Sequence, residues 1–342
     1  MIDFRYHLVS IVAVFLALAI GIVLGSTELQ GPVYNVLNHA TSQLHDQLST
    51  VTGERDAALQ EATADKAFIQ AVEPDYLHGK LAGQRLVIIT EPGAQAAVVS
   101  DIVTAAQYAG ATVTGQINLQ PKFFDSTSTT ADQLTQTNTD LATQDGIALD
   151  SSASSPQQAA AEVLANEILV KASTTAGIQQ AGATESSAAQ TALGSYAGSS
   201  FLSISGQPAT PATLAVIVTP QNVPADGSAD AYAQDLGPFA QALAKVHNTP
   251  TAVAGTAAGS GPGSPIAVLR NTDAANQVSS VDDADTPRGQ MTVVETLSIM
   301  LTGGQPGSYG IDNGAQYPNV TPTASASSSP SASSSPSKKT KK

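Results

Sequence analysis

Hydrophobic positions follow three rhythms along this chain. From Leu8 to Leu24 they run without a charge, and only Ser10 interrupts them with a polar group. A helix over those residues rises about 25 Å, and an extension through Thr27 reaches about 30 Å, the thickness of a hydrocarbon core. Residues 8–27 are therefore predicted to be one transmembrane anchor. Within it Ala13, Ala17, Gly21 and Gly25 recur every fourth position, so four small side chains share a stripe on which a second helix can pack closely. Arg5 precedes the run and Glu28 follows it, which predicts a cytoplasmic stretch over 1–7 and an extracytoplasmic remainder. Ala17-Leu18-Ala19 also matches a signal-peptidase pattern, but cleavage there leaves the apolar stub Ile20 to Leu24 at the new N-terminus. An uncleaved signal-anchor accounts better for the segment.

The second rhythm is heptad. With Tyr34, Thr41, Leu48, Arg55, Ala62 and Ile69 at position a, position d holds Leu37, Leu44, Val51, Ala58, Asp65 and Val72. Thr41, Arg55 and Asp65 break the apolar seam, and Gly53 costs about 1 kcal/mol relative to alanine in a helix interior. A coiled coil is predicted over 33–73, with Leu37, Leu44, Leu48 and Val51 as its partner-binding residues. The same spacing also fits an amphipathic helix packed on its own globular domain. Gly31-Pro32 is expected to break the chain before this helix, and Glu73-Pro74 to end it.

From about residue 79 the pattern alternates between strands and helices. Leu86 to Thr90 is a branched aliphatic run of the kind covered on both faces. Glu91-Pro92-Gly93 turns it into a helix over about 96–109, which Gly110 closes before a strand over 112–117. Further helices are expected near 131–143, 157–172 and 232–246, with strands over 214–219 and 251–254. A segment at 266–269 and a helix over 287–301, started by a Thr286 cap and Pro287, complete the series. The pattern predicts an α/β, Rossmann-like three-layer domain with a mainly parallel sheet over 79–312. Ser, Pro, Ala and Thr dominate residues 321–337, so 320–342 is expected to be a disordered tail with a basic end.

Composition narrows the chemistry. The chain has no cysteine, which removes disulfides, thiolate metal sites and cysteine nucleophiles. Its net charge of −14 argues against a nucleic-acid partner, because phosphate binding needs a cationic face. His39 and His45 lie about 240° apart around a helix and do not converge on one ion, although two chains can share them. Met291 and Met300 read as core filler on the last helix. Asp282, Asp283 and Asp285 lack calcium-loop spacing and are explained by the adjoining helix N-terminus. Gly259-Ser260-Gly261-Pro262-Gly263 has neither a P-loop lysine nor a dinucleotide fingerprint. Glu91 to Ala94 is the loop best placed for a small molecule, at a strand's carboxyl end. No nucleophile with a base, no catalytic residue, no cofactor motif and no metal-ligand set stands out, so the chain does not read as an enzyme.

Several segments together resemble one family. They are Phe4 to Ser10 and Ala17 to Gly25, then Gly53-Glu54-Arg55-Asp56, Leu81 to Thr90, Gly110 to Gly115, and Val281 to Gln290. The chain thereby resembles the actinobacterial copper transport protein B family (MctB-like) up to about Tyr309. That resemblance implies a cell-envelope protein of copper efflux or copper homeostasis, with copper ions as cargo and the membrane as a partner. It also brings the alternative of a non-enzymatic coiled-coil scaffold in a septal complex that regulates peptidoglycan cleavage. Transport predicts a metal site and metal-dependent phenotypes, whereas the scaffold predicts self-association or a second envelope protein on the heptad seam.

Overall fold

The computed structural model describes residues 4–172, 186–221, 228–257, 264–312 and 315–316. The tail over 320–342 and the stretch Gly259 to Gly263 lie outside the described residues. The chain divides into two units, Met1–Phe68 and Ile69–Lys342.

Helix α1 runs from Phe4 to Leu77. Its segment Tyr6–Gly25 is 20 residues long and apolar enough to cross a membrane. The expected break at Gly31-Pro32 does not occur. A residue before proline usually leaves the helical region because its Cβ meets the proline ring, and Gly31 has no Cβ. Nor does the helix end at Glu73, for Pro74 is followed by one more turn. Leu77 and the nearby Leu81 are fully buried, each worth roughly 1.5–3 kcal/mol, which offsets the cost of about 3 kcal/mol for an interior proline.

The second unit holds seven strands: β1 (Arg85–Thr90), β2 (Thr112–Leu119), β3 (Leu202–Gly206), β4 (Leu214–Val218), β5 (Thr251–Ala254), β6 (Ser279–Val281) and β7 (Ser308–Tyr309). They form one sheet in the order β3-β2-β1-β4-β5-β6-β7. Every pairing is parallel except that of β2 with β3. The helices are α2 (Ala96–Tyr108), α3 (Ser128–Asp145), α4 (Pro156–Ile168), α5 (Ser187–Gly198), α6 (Ser228–Lys245), α7 (Pro265–Arg270) and α8 (Pro287–Leu301).

Side chains alternate across the strands and build two cores. Val87, Ile89, Ile217 and Val253 join residues of α3 to α7 on one face. Leu86, Ile88, Val216 and Ala252 join α2, α8 and Leu77 on the other, where Met291 and Met300 pack as core filler. This three-layer α/β architecture matches the sequence expectation, with three differences. Helix α4 stops at Ile168, because Leu169 turns to form a bridge with Ala212. Residues 266–269 are helical within α7. Strands β3, β6 and β7 and helix α5 carry too little apolar signal to be foreseen. In β6, Ser279 and Ser280 are buried by hydrogen bonding instead: Ser279 Oγ accepts from Thr296 Oγ1 at 2.6 Å and from Gly307 N at 3.2 Å.

The acidic cluster departs from its expected role. Its carboxylates diverge to separate partners and do not gather at the α8 amides. Asp282 is fully buried and accepts from Arg270 Nη1 at 2.7 Å, Ile311 N at 2.8 Å and Asp312 N at 3.3 Å. The same guanidinium donates to Ser280 Oγ at 2.9 Å and to the Tyr309 carbonyl at 2.7 Å. Gly310, at φ 128°, passes so close that any Cβ would overlap the Asp282 carboxylate. Asp283 is held by Arg288 at 2.8 Å, while Asp285 accepts from Ala257 N at 3.3 Å. Thr286 does cap α8, its Oγ1 accepting from Gly289 N at 3.1 Å.

Removing one partner of a buried ion pair strands the other charge, at a cost of about 3–5 kcal/mol. The substitution Asp282→Asn should therefore lower the unfolding free energy by that order in urea titrations. Asp285→Asn, at the exposed end of the cluster, should change it by less than about 1 kcal/mol.

Candidate functional site

An open parallel sheet offers its natural crevice where successive connections leave in opposite directions. Here the chain leaves β1 for β2 on one side, and β4 lies on the other. The crevice is thus at the carboxyl ends of β1 and β4. Glu91 is the first residue beyond β1, and its backbone N donates to the Val218 carbonyl of β4 at 2.9 Å. Ala94 N returns to the Glu91 carbonyl at 3.1 Å, closing a turn with Pro92 second and Gly93 third. Gly93 has φ 87°, as a type II turn requires at that place. A Cβ there would stand 3.3 Å from Pro220 Cβ, so the turn packs directly on the exit from β4.

The period of two puts Glu91 on the same sheet face as Val87 and Ile89, the face covered by α6. It is buried, and its Oε2 has no hydrogen-bond partner. Burial first, and then the negative charge of Asp235 on α6, push the Glu91 carboxyl up to about 8. Burial also raises Asp235, and a hydrogen bond from Ser155 partly counters that rise. Ser155 is the N-cap of α4, and its Oγ also accepts from Gln158 N at 3.3 Å. The charge of Asp235 thus acts on Glu91, and Ser155 acts on Asp235. A carboxylic acid that ionises near pH 8 can hold or release a proton in the neutral range.

Sequence reasoning reached the Glu91 to Ala94 loop from its place at a strand end. It missed Asp235 and Ser155, which no local motif marks. A second hollow, of about 350 Å³, lies at the amino ends of β5 and β6, between Lys245, Asn248, Gln277, Met300 and Gln305. It holds no buried charged group.

The other expected site residues all lie on α1. Leu37, Leu44, Leu48 and Val51 are exposed. Ala13 and Ala17 are exposed as well, and open space surrounds the position of a Cβ at Gly21 and at Gly25. Among the described residues no group of three or more His, Asp or Glu side chains is arranged to hold a metal ion.

Comparison with known proteins supplies an independent line. The family described as "Copper transport outer membrane protein, MctB" matches residues 1–320. The "Copper transporter MctB" of Mycobacterium tuberculosis (strain ATCC 25618 / H37Rv) is 28% identical over 323 residues, covering 94% of this chain and 100% of that protein. The "Copper transporter MctB" of Mycobacterium leprae (strain TN) is 28% identical over 318 residues, covering 92% of this chain and 98% of that protein. The names of these proteins speak of copper transport, and none speaks of a septal scaffold.

The position of Glu91 has a consequence for stability. The unfolded chain releases this proton near 4.5 and the folded chain near 8, so between those values the folded state holds the extra proton. Stability should then fall with rising pH across that window, by up to about 1.4 kcal/mol per unit, and level off above it. Unfolding titrations from pH 5 to 9 should show this slope in the wild type and lose most of it in Glu91→Gln.

Proposed function

The chain belongs to the MctB family of copper transport proteins, and from that premise we infer that it serves copper efflux as a membrane-anchored protein of the cell envelope. The observation that carries this reading is the family match over residues 1–320, which takes in the apolar segment Tyr6–Gly25 as well as the α/β domain. Residues 8–27 act as an uncleaved single-pass anchor. Arg5 on one flank and Glu28 on the other favour a cytoplasmic stretch over 1–7 and an extracytoplasmic domain over 79–312.

One helix cannot enclose a path for an ion, because every wall of such a path must be supplied by protein. Transport through this chain therefore calls for several copies. An anchor inserted in one orientation sets those copies parallel and in register, the arrangement in which a heptad seam meets its own equivalent. Leu37, Leu44, Leu48 and Val51 form the clean part of the coiled coil over 33–73. Arg55 and Asp65 would each meet a like charge further along. The stripe Ala13, Ala17, Gly21 and Gly25 adds close packing inside the membrane. On this seam His45 takes position e and flanks the partner, while His39 takes position f and faces away. Copper is the cargo, and the partner on the seam is a second copy.

Deleting the gene should raise cellular copper, measured by elemental analysis, and the wild-type chain should restore it. An unchanged copper content rejects the transport reading. Replacing both Leu44 and Leu48 with Asp should abolish cross-linking between copies in membranes and should fail to restore copper to its normal level. Cross-linking equal to wild type would remove the coiled coil from the mechanism.

A further inference from the structure

We propose that the edge strand β3 pairs antiparallel with β3 of a second copy, centred on Ile204, so that two α/β domains share one continuous sheet. The inference rests on the reading that copies assemble side by side through α1, and it adds a contact outside the coiled coil.

The two edges of the sheet are finished differently. Strand β7 is two residues long, and Gln316 closes it: a bridge joins Gln316 to Tyr309, and Gln316 N donates to the Ser308 carbonyl at 2.8 Å. Strand β3 has no such cover among the described residues. Edge strands are ordinarily blunted by lysine, proline or a bulge, because their free N–H and C=O groups template pairing with another chain. Leu202–Gly206 holds no charge and no proline, and its register with β2 is regular throughout. Ser203 to Gly206 are exposed, Ile204 by 47%. The ladder shows which backbone groups are free. Gln120 N donates to the Phe201 carbonyl at 2.9 Å and Gln207 N to the Thr114 carbonyl at 2.8 Å. Bonded pairs alternate along an antiparallel ladder, so Ser203 and Ser205 bond to β2 while the N–H and C=O of Ile204 point away from it.

Charge and symmetry select a second copy as the occupant. The chain carries a net charge of −14, so copies repel one another over most of their surface. From Ile102 to Pro121 and from Ser186 to Gln221 there is no Asp, Glu, Lys, Arg or His. Those stretches contain β2, α5 and β3, which makes this end of the sheet the neutral place where two acidic copies can touch. Lys122 stands just before the strand, over the Phe201 ring at 4.8 Å, with its ammonium donating to the Ser199 carbonyl at 2.9 Å. The strand is also complementary to itself. A two-fold axis at Ile204 sets that residue opposite its equivalent, each N–H donating to the other's carbonyl, and sets Ser203 opposite Ser205 of the second copy, where the hydroxyls can bond. One strand pair buries far less than the roughly 1,200 Å² of a stable interface, so the contact is weak between free molecules. Copies anchored in one membrane meet at high effective concentration, where a weak contact is enough.

The test uses the full-length chain in membranes, oxidised with diamide. The chain has no cysteine, so each substitution reports one position. Ile204→Cys should cross-link to a dimer, because equivalent Cα atoms in a bonded pair lie about 5.5 Å apart. Ser203→Cys and Ser205→Cys, each expressed alone, should cross-link at least tenfold more slowly, since their equivalents lie diagonally at about 7–8 Å. The two expressed together should cross-link readily. Adding Ile204→Lys to both sets like charges face to face and should abolish that cross-link while far-UV circular dichroism stays unchanged. Leu48→Cys reports the heptad seam separately. A cross-link at Leu48→Cys without one at Ile204→Cys overturns the edge pairing and leaves the coiled coil standing. The reverse result upholds the edge pairing and removes the coiled coil. Equal rates for Ser203→Cys, Ile204→Cys and Ser205→Cys alone mean collision without register and also overturn the proposal.

Discussion

A parallel sheet has to be covered on both faces, and this requirement organises the second unit. Strands β1, β4 and β5 are buried along their whole lengths. Their crossovers must supply helices to each side, so the apolar surface divides into two cores separated by one layer of backbone. Chain composition suits that geometry. Alanine and leucine are the commonest residues of the two cores, and a few aromatic residues fill the larger gaps, as where Phe123 meets Phe239 edge to face at a centroid distance of 5.8 Å.

Such a sheet leaves its strand ends as the places where polar groups accumulate, and the domain handles two such groups in opposite ways. At β6 and β7 a half-buried arginine serves several partners at once, and its buried carboxylate partner is further satisfied by backbone amides. At the end of β1 a carboxylate is buried beside another acid and keeps its proton. The first arrangement is closed, because its hydrogen-bonding capacity is consumed within the chain. The second is open, because an acceptor is enclosed and unused.

Legibility in the sequence followed the source of each signal. Leu86 to Thr90, Leu214 to Val218 and Thr251 to Ala254 announce strands because continuous aliphatic runs have few other uses. Thr286-Pro287 announces a helix because capping is local chemistry. Strand β3 was hidden because it is a five-residue edge strand with only two apolar side chains, Leu202 and Ile204, and β6 because serine hydrogen bonds replace apolar burial. Gly31-Pro32 misled because glycine has no Cβ to meet the proline ring, which removes the steric reason for the preceding residue to leave the helix. For the candidate site, Glu91 was visible from its place after a strand. Asp235 and Ser155 were not, since only the tertiary packing of α4 and α6 on that sheet face brings them near.

The clamp around Arg270 bears on the order in which the domain can be completed. Strand β1 is made first, but the charge on Asp282 cannot be sealed until Tyr309, Ile311 and Asp312 have been synthesised. A chain delivered N-terminus first therefore carries an unfinished edge until β7 and the residues just after it emerge. The Arg270 clamp thus ties β6 to residues that follow it by about thirty positions, and the edge of the sheet closes only when both ends of that span are present.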